Sequence, residues 1–303
     1  MRVLVTGVGG FIGANLAEHL AQTGHDVAGI GRPSHLDWLL DELGIEHAIA
    51  DVRDPLQLHG IREVDAIVHL AAQTDVGRSW FHPAADASDN VVGTITVALE
   101  ACRRGVPIVV AGSCAAYGPG GPHWEGDLAL ALAGSPYAAS KRATVDYTRL
   151  LCQAAHIPWT ALIFANVYGP LQRTRALVPE LIAHYLAGSP FALAGDGSQT
   201  RDFVYVSDVV AAIMASLATH PGWPEEICGG VINVGTGIET SARTVAELVR
   251  HAVGSDAPLP PPSNRPTGFA RSVLNVDRAL AMLDWHALVD VEEGIHRTVA
   301  AAR

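Results

Sequence analysis

Tyr137 and Lys141 stand four residues apart in Ser135-Pro136-Tyr137-Ala138-Ala139-Ser140-Lys141, at the start of a predicted helix. That spacing puts a phenol and an ammonium on one helix face, about a turn apart. Such a pair can take a proton from an alcohol. A phenol titrates near 10, so acting as a base around pH 7 requires roughly 4 kcal/mol in favour of the phenolate. The Lys141 cation can contribute it, together with a positively charged nicotinamide. A helix with a surface lysine shows the same spacing, and Ser113 is what raises the pair above it. Ser113 follows the buried run Ile108–Ala111 and opens Ser113-Cys114-Ala115-Ala116-Tyr117-Gly118. Its hydroxyl is placed to bridge the phenol and a sugar oxygen.

The redox partner has its own signature at the start of the chain. Met1-Arg2-Val3-Leu4-Val5 runs into Thr6-Gly7-Val8-Gly9-Gly10-Phe11-Ile12-Gly13, and Ala14–Leu20 continues as a helix. A buried strand, a glycine-rich turn and a helix start form a dinucleotide cradle. Gly7 makes the turn, Gly10 permits close backbone approach to a pyrophosphate, and Gly13 permits contact between helix and sheet. The free N–H groups and positive dipole end of the helix favour the anion.

These groups need a scaffold that brings them to one edge. Strand-like runs at Val27–Ile30, His47–Ala50, Ala66–Leu70, Ile108–Ala111 and Thr160–Phe164 alternate with helical ones. The alternation predicts an α/β fold, a Rossmann-type doubly wound parallel sheet covered on both faces, with chemistry at the carboxyl ends of its strands. A dinucleotide-binding domain is expected over residues 1–165, with 204–235 returning to it. Residues 166–303 mainly form a smaller substrate-binding region, marked by Gly195-Asp196-Gly197-Ser198, Gly229–Gly237 and the proline-rich Pro258–Pro266.

The chain resembles the extended short-chain dehydrogenase/reductase family, the NAD(P)-dependent epimerases and dehydratases, and within it the nucleotide-sugar enzymes. The resemblance rests on Thr6–Gly13, Asp51-Val52, His69-Leu70-Ala71-Ala72, Asn90 with Gly93-Thr94, Ser113 with Tyr117-Gly118, and Tyr137 with Lys141. It continues through Asn166-Val167-Tyr168-Gly169-Pro170, Arg201–Val206, Asn233-Val234-Gly235 and Arg265-Pro266. It implies that Ser113, Tyr137 and Lys141 are catalytic. It also implies cofactor contacts at Gly7, Gly10, Phe11, Ile12, Gly13, Arg32, Asp51, Val52, Leu70, Ala71 and Ala72, besides Tyr137 and Lys141. Thr74, Ser113, Asn166, Arg201 and Arg265 are implied as contacts for a nucleotide-diphosphate sugar, the two arginines at the diphosphate. Arginine suits that role because its planar fork matches phosphate oxygens, although Arg201 could instead pair with its neighbour Asp202.

Four positions depart from the family pattern. NAD-binding members end the second strand with an acid, whereas here Gly31-Arg32 follows Val27–Ile30, which leans toward NADP over NAD. Sugar 4,6-dehydratases carry Asp-Glu after the catalytic hydroxyl residue, and this chain has Cys114-Ala115. Dehydration is therefore disfavoured, with Glu125, Asp127 and His123 as the available substitutes. Ile163 stands where relatives often have arginine, and Thr267 replaces a glycine after Arg265-Pro266.

Composition narrows the classes further. A chain of 303 residues, 49% hydrophobic, can bury a full core. Its net charge of −11 argues against nucleic acid or an anionic membrane as partner. Cys102, Cys114, Cys152 and Cys228 form no Cys-x-x-Cys pair and read as reduced thiols in a cytoplasmic protein. The 14 histidines lack zinc-ligand spacing, so no metal is expected. No apolar run reaches a membrane span, and a strand beginning at residue 2 leaves no room for a cleaved leader. The resemblance suggests a homodimer through the helices around Val91–Arg104 and Ala138–Gln153. The leading function is an NAD(P)-dependent nucleotide-sugar epimerase acting at C4 through a transient 4-keto sugar. An NADPH-dependent 4-keto-sugar reductase is the alternative, and a dehydratase or a non-catalytic dinucleotide-binding protein stands further behind.

Overall fold

The computed structural model describes residues 1–129, 131–173, 176–219 and 229–303. Its strands are β1 (Arg2–Thr6), β2 (Asp26–Gly31), β3 (Glu46–Ile49), β4 (Ala66–His69), β5 (Ile108–Ser113), β6 (Gly120–His123), β7 (Trp159–Phe164), β8 (Asn166–Tyr168), β9 (Leu193–Ala194), β10 (Thr200–Tyr205), β11 (Gly229–Val234), β12 (Glu239–Ser241), β13 (Pro262–Ser263) and β14 (Arg271–Leu274). Seven of them form an all-parallel sheet in the order β11-β7-β5-β4-β1-β2-β3. The order reverses direction at β1, between β4 and β2, which opens a crevice at the carboxyl ends. Val3, Leu4 and Val5, Ile67 and Val68, and Ile108 to Val110 are buried, as strands covered on both faces must be.

The second region has its own core of Tyr168, Leu181, Phe203, Tyr205, Val245, Val249 and Ile295. It rests on a sheet of order β12-β10-β14-β6, with β8 paired to β10. The strand β6 comes from the amino-terminal half, so residues 120–123 reach into this second sheet.

Two local features position the site. The helix Pro136–Ala154 begins where Ser135 accepts from the Ala138 N–H at 3.1 Å and Pro136 fills the first turn, so its start is fixed by sequence. The long helix before β5 is interrupted: Pro83–Ala87 passes through a π-turn, Ser88–Val92, into Gly93–Arg104. The wider turn carries Asp89 and Asn90 inward, 8% and 1% exposed.

Candidate active site

The cradle has the geometry that its glycines require. Gly7 lies at φ 71°, and a Cβ there would stand 2.7 Å from the Ala71 nitrogen. A Cβ on Gly13 would collide with the Gly7 carbonyl, so the close approach that Gly13 permits is between the helix and the turn itself. The helix Phe11–Gln22 starts at Gly10 with no side-chain cap and no acid in its first turn, leaving its N–H groups for an anion. Above it opens a cleft of about 970 Å³ lined by Gly7, Gly10, Phe11, Ile12, Gly13, Arg32, Val52, Leu70, Ala71, Ala72 and Lys141. These residues fit a dinucleotide.

Asp51 and Thr74 sit differently from expectation. The Asp51 carboxylate is turned to Arg53, whose hydrogen bonds hold it down at about 2, and the residue does not line the cleft. Thr74 borders this larger cleft, next to Asp75, which lines both this cleft and a second cavity.

A second cavity, of about 530 Å³, is lined by Asn166, Arg201 and Arg265 and shares Asp75, Val167 and Gln172 with the first. Arg201 does not pair with Asp202, which instead accepts from Thr236 and the Gly237 N–H. The Arg201 guanidinium donates to the carbonyls of Thr200 at 2.7 Å and Thr267 at 3.0 Å. Among the described residues no carboxylate lies within ion-pair distance of it, and burial lowers its pKa. A desolvated cation bordering a cavity without a counter-ion is a site for an anion.

Ser113 is the last residue of β5, two positions beyond the expected strand end at Ala111, and caps the 3-10 turn Cys114–Tyr117. Its hydroxyl accepts from the Ala115 N–H at 3.3 Å and acts on the Tyr137 phenol, favouring its ionised form. Tyr137, 7% exposed, is at the base of the helix Pro136–Ala154, its N–H bonded to the Ser79 hydroxyl at 3.2 Å. Lys141 donates to the Ala111 carbonyl at 3.0 Å. Burial pushes the Tyr137 phenol up to about 12, against the influence of the Ser113 hydroxyl, and pulls the Lys141 ammonium down to about 8. For the protein alone, desolvation of the ring dominates. Lys141 lines the dinucleotide cleft, while Ser113 and Tyr137 border neither cavity directly.

The open surroundings expected for Arg32 are also corrected. Its guanidinium grips Asp89 through two bonds, 2.6 and 3.1 Å, and lies 3.7 Å from Asp51. Two carboxylates thus stand where none was expected. Ile163, standing where relatives often have arginine, is fully buried in β7 against Gly112. Thr267 supplies its carbonyl to Arg201, and the turn is made by Gly268 at φ 67°. Glu125 accepts from the Asn233 N–H and Asp127 from the Trp124 N–H, while His123 stacks on Tyr117 at 5.0 Å. Each of the three has a structural contact of its own.

Asp89 and Gln172 line the cleft yet carry no signal in the sequence, because only tertiary packing brings them there. His69, quoted within a motif, bridges the Thr6 and Thr94 hydroxyls and is held neutral by burial, near about 3. Cys102, Cys114 and Cys152 are free thiols, and Cys228 lies outside the described residues. Among the described residues no metal-binding cluster occurs, and no helix is long and apolar enough to cross a membrane.

A parallel sheet with a glycine cradle at its reversal point defines a Rossmann-type dinucleotide enzyme scaffold. Residues 3–235 match the NAD dependent epimerase/dehydratase family. The UDP-glucose 4-epimerase of Mycolicibacterium smegmatis is 37% identical over 316 residues, covering 99% of this chain and 97% of its own. The UDP-glucose 4-epimerase of Thermotoga maritima, solved with UDP-glucose, shares the fold at a TM-score of 0.89 and 27% identity, covering 100% of this chain and 98% of that one. A Thermus thermophilus UDP-glucose 4-epimerase solved with NAD is 31% identical at a TM-score of 0.85, with 99% and 98% covered. The chain belongs to the NAD-dependent epimerase/dehydratase family and is an NAD-dependent enzyme of it.

Proposed function

We propose that the protein interconverts nucleotide-diphosphate hexoses epimeric at C4, with a UDP-hexose as substrate. The observation that carries this is the meeting of two cavities along Asp75, Asn166, Val167 and Gln172: one, bordered by Lys141, is cradled for a dinucleotide, and the other bears Arg201, which has no carboxylate partner among the described residues. A bound nicotinamide dinucleotide supplies the hydride acceptor and donor and, oxidised, a positive charge.

Tyr137 takes the proton of the C4 hydroxyl as its carbon is oxidised, and returns a proton when the ketone is reduced from the opposite face. Ser113 holds that hydroxyl against the phenol. Bringing the phenol from about 12 to near neutrality requires about 7 kcal/mol, more than Ser113 supplies, so Lys141 and the cofactor's charge must share it. Arg201 and Arg265 anchor the diphosphate, leaving the sugar free to turn. Asn166, between the cavities, positions the substrate's sugar end.

The cofactor is NAD rather than NADP on this reading. With Arg32 neutralised by Asp89 and beside Asp51, a 2′-phosphate meets two carboxylates and gains no free cation. The two-part organisation, 1–165 with 204–235 for the dinucleotide and 166–303 mainly for substrate, follows the same division. A homodimer is supported by Val92, Leu99, Tyr147 and Leu150, all more than 40% exposed on the two helices named for it. Unpaired thiols fit a cytoplasmic setting.

The test is turnover of UDP-glucose with the dinucleotide released by denaturation identified. Retained NAD and interconversion to the C4 epimer are expected. Consumption of free NADPH only with a 4-keto sugar overturns the reading in favour of a reductase. Tyr137→Phe should lower kcat about 10²- to 10⁴-fold while NAD affinity stays within about twofold.

A further inference from the structure

Asp86 is a buried acid that the chemistry above does not use. It is 1% exposed, in the short helix Pro83–Ala87 that packs beneath the helix carrying Tyr137 and Lys141. One carboxylate oxygen accepts from Gln73 Nε2 at 2.7 Å and from Asn90 Nδ2 at 3.3 Å. Asn90 Nδ2 also reaches the Ser140 hydroxyl at 3.0 Å, and that hydroxyl donates to the Tyr137 carbonyl at 2.9 Å. The second oxygen of Asp86 is buried with no hydrogen-bond partner. Leaving half a carboxylate unsatisfied in the interior is costly unless a nearby positive charge offsets it.

We propose that Asp86 is a positioning residue for the catalytic pair: through Gln73 and Asn90 it braces the helix turn between Tyr137 and Lys141, and it serves as the counter-charge of the Lys141 ammonium. The inference rests on the reading of Tyr137 and Lys141 as the reacting pair. Asp86 favours the proton on both groups, keeping Lys141 charged and opposing ionisation of Tyr137. The other groups acting at this point are few. From β4 comes His69, neutral through burial. Beyond β5 lies the Cys114 thiol, pushed up to about 11 by burial, with Ser113 and the Ala111 carbonyl contributing hydrogen bonds. Among the described residues Asp86 is thus the carboxylate whose charge acts on both members of the pair, and it sets their protonation together.

The experiment measures the pH dependence of Lys141 acylation by an amine reagent, mapped by peptide mass spectrometry, alongside the pH profile of kcat/KM. In Asp86→Asn the acylation curve should move to lower pH by about half a unit or more, and both limbs of the activity profile should move with it. Asp86→Glu should restore the wild-type positions. If Asp86→Asn does not fold, Asp86→Ser provides the second charge-free variant. Curves that coincide with wild type in a folded charge-free variant overturn the proposal, even where thermal stability falls. Acylation reports on Lys141 without turnover, so a failed epimerase reading leaves its own mark, in Tyr137→Phe retaining full activity.

Discussion

On the proposed function a guanidinium, an ammonium and a phenol carry most of the chemistry, and each is set by how far water is excluded from it. Among the described residues Arg201 keeps two carbonyls as partners and no acid, so on the proposed function an arriving diphosphate supplies the missing charge. Arg201→Met should raise KM for UDP-glucose about 10- to 100-fold, the worth of a hydrogen bond to a charged group, with kcat and NAD affinity little changed. Steady-state kinetics and NAD titration check it. Lys141 has the opposite exposure to solvent from an ordinary lysine, and burial brings it down to about 8. Below that pH it is charged and supports the phenolate, and above it the support disappears. The profile of kcat/KM should fall on its alkaline side through about pH 8, far below the usual lysine range.

At the scale of elements, the turn from β1 into the helix Phe11–Gln22 tolerates no side chain. Gly13→Ala drives a Cβ into the Gly7 carbonyl and must displace the helix start from the turn. NAD affinity, read by titration, should fall at least tenfold. Gly24, at φ 78° after the same helix with open space around it, offers the contrast. Gly24→Ala should lower stability by about 1 kcal/mol in a denaturant melt and leave NAD affinity unchanged. The strand β5 shows a second element at work: by running to Ser113 it carries the hydroxyl on rigid sheet, where a flexible loop would hold it less firmly.

Across the whole molecule, the helices Gly93–Arg104 and Pro136–Ala154 cover the sheet with their inner faces and leave apolar side chains outside. Leu150→Arg, 55% exposed and remote from both cavities, should convert a dimer to monomers by light scattering while keeping the fold by circular dichroism. The net charge of −11 acts at the same scale. An anionic substrate approaches a repelling surface, and its capture depends on the few arginines concentrated at the second cavity.

Local physics made much of this protein legible in its residues. A tight turn admits only glycine, parallel strands must be apolar throughout, and a helix four-residue spacing aligns Tyr137 with Lys141, so the fold class, the cradle and the pair follow from short-range rules. Other outcomes depended on residues far apart in the chain. Arg32 reads as an open cation until the π-turn Ser88–Val92 carries Asp89 to it from 57 positions away, and how far packing strips water from the Tyr137 phenol has no signature in the residues themselves. Charge balance and desolvation are sums over neighbours that only tertiary packing supplies, whereas turn geometry and periodicity belong to the chain itself.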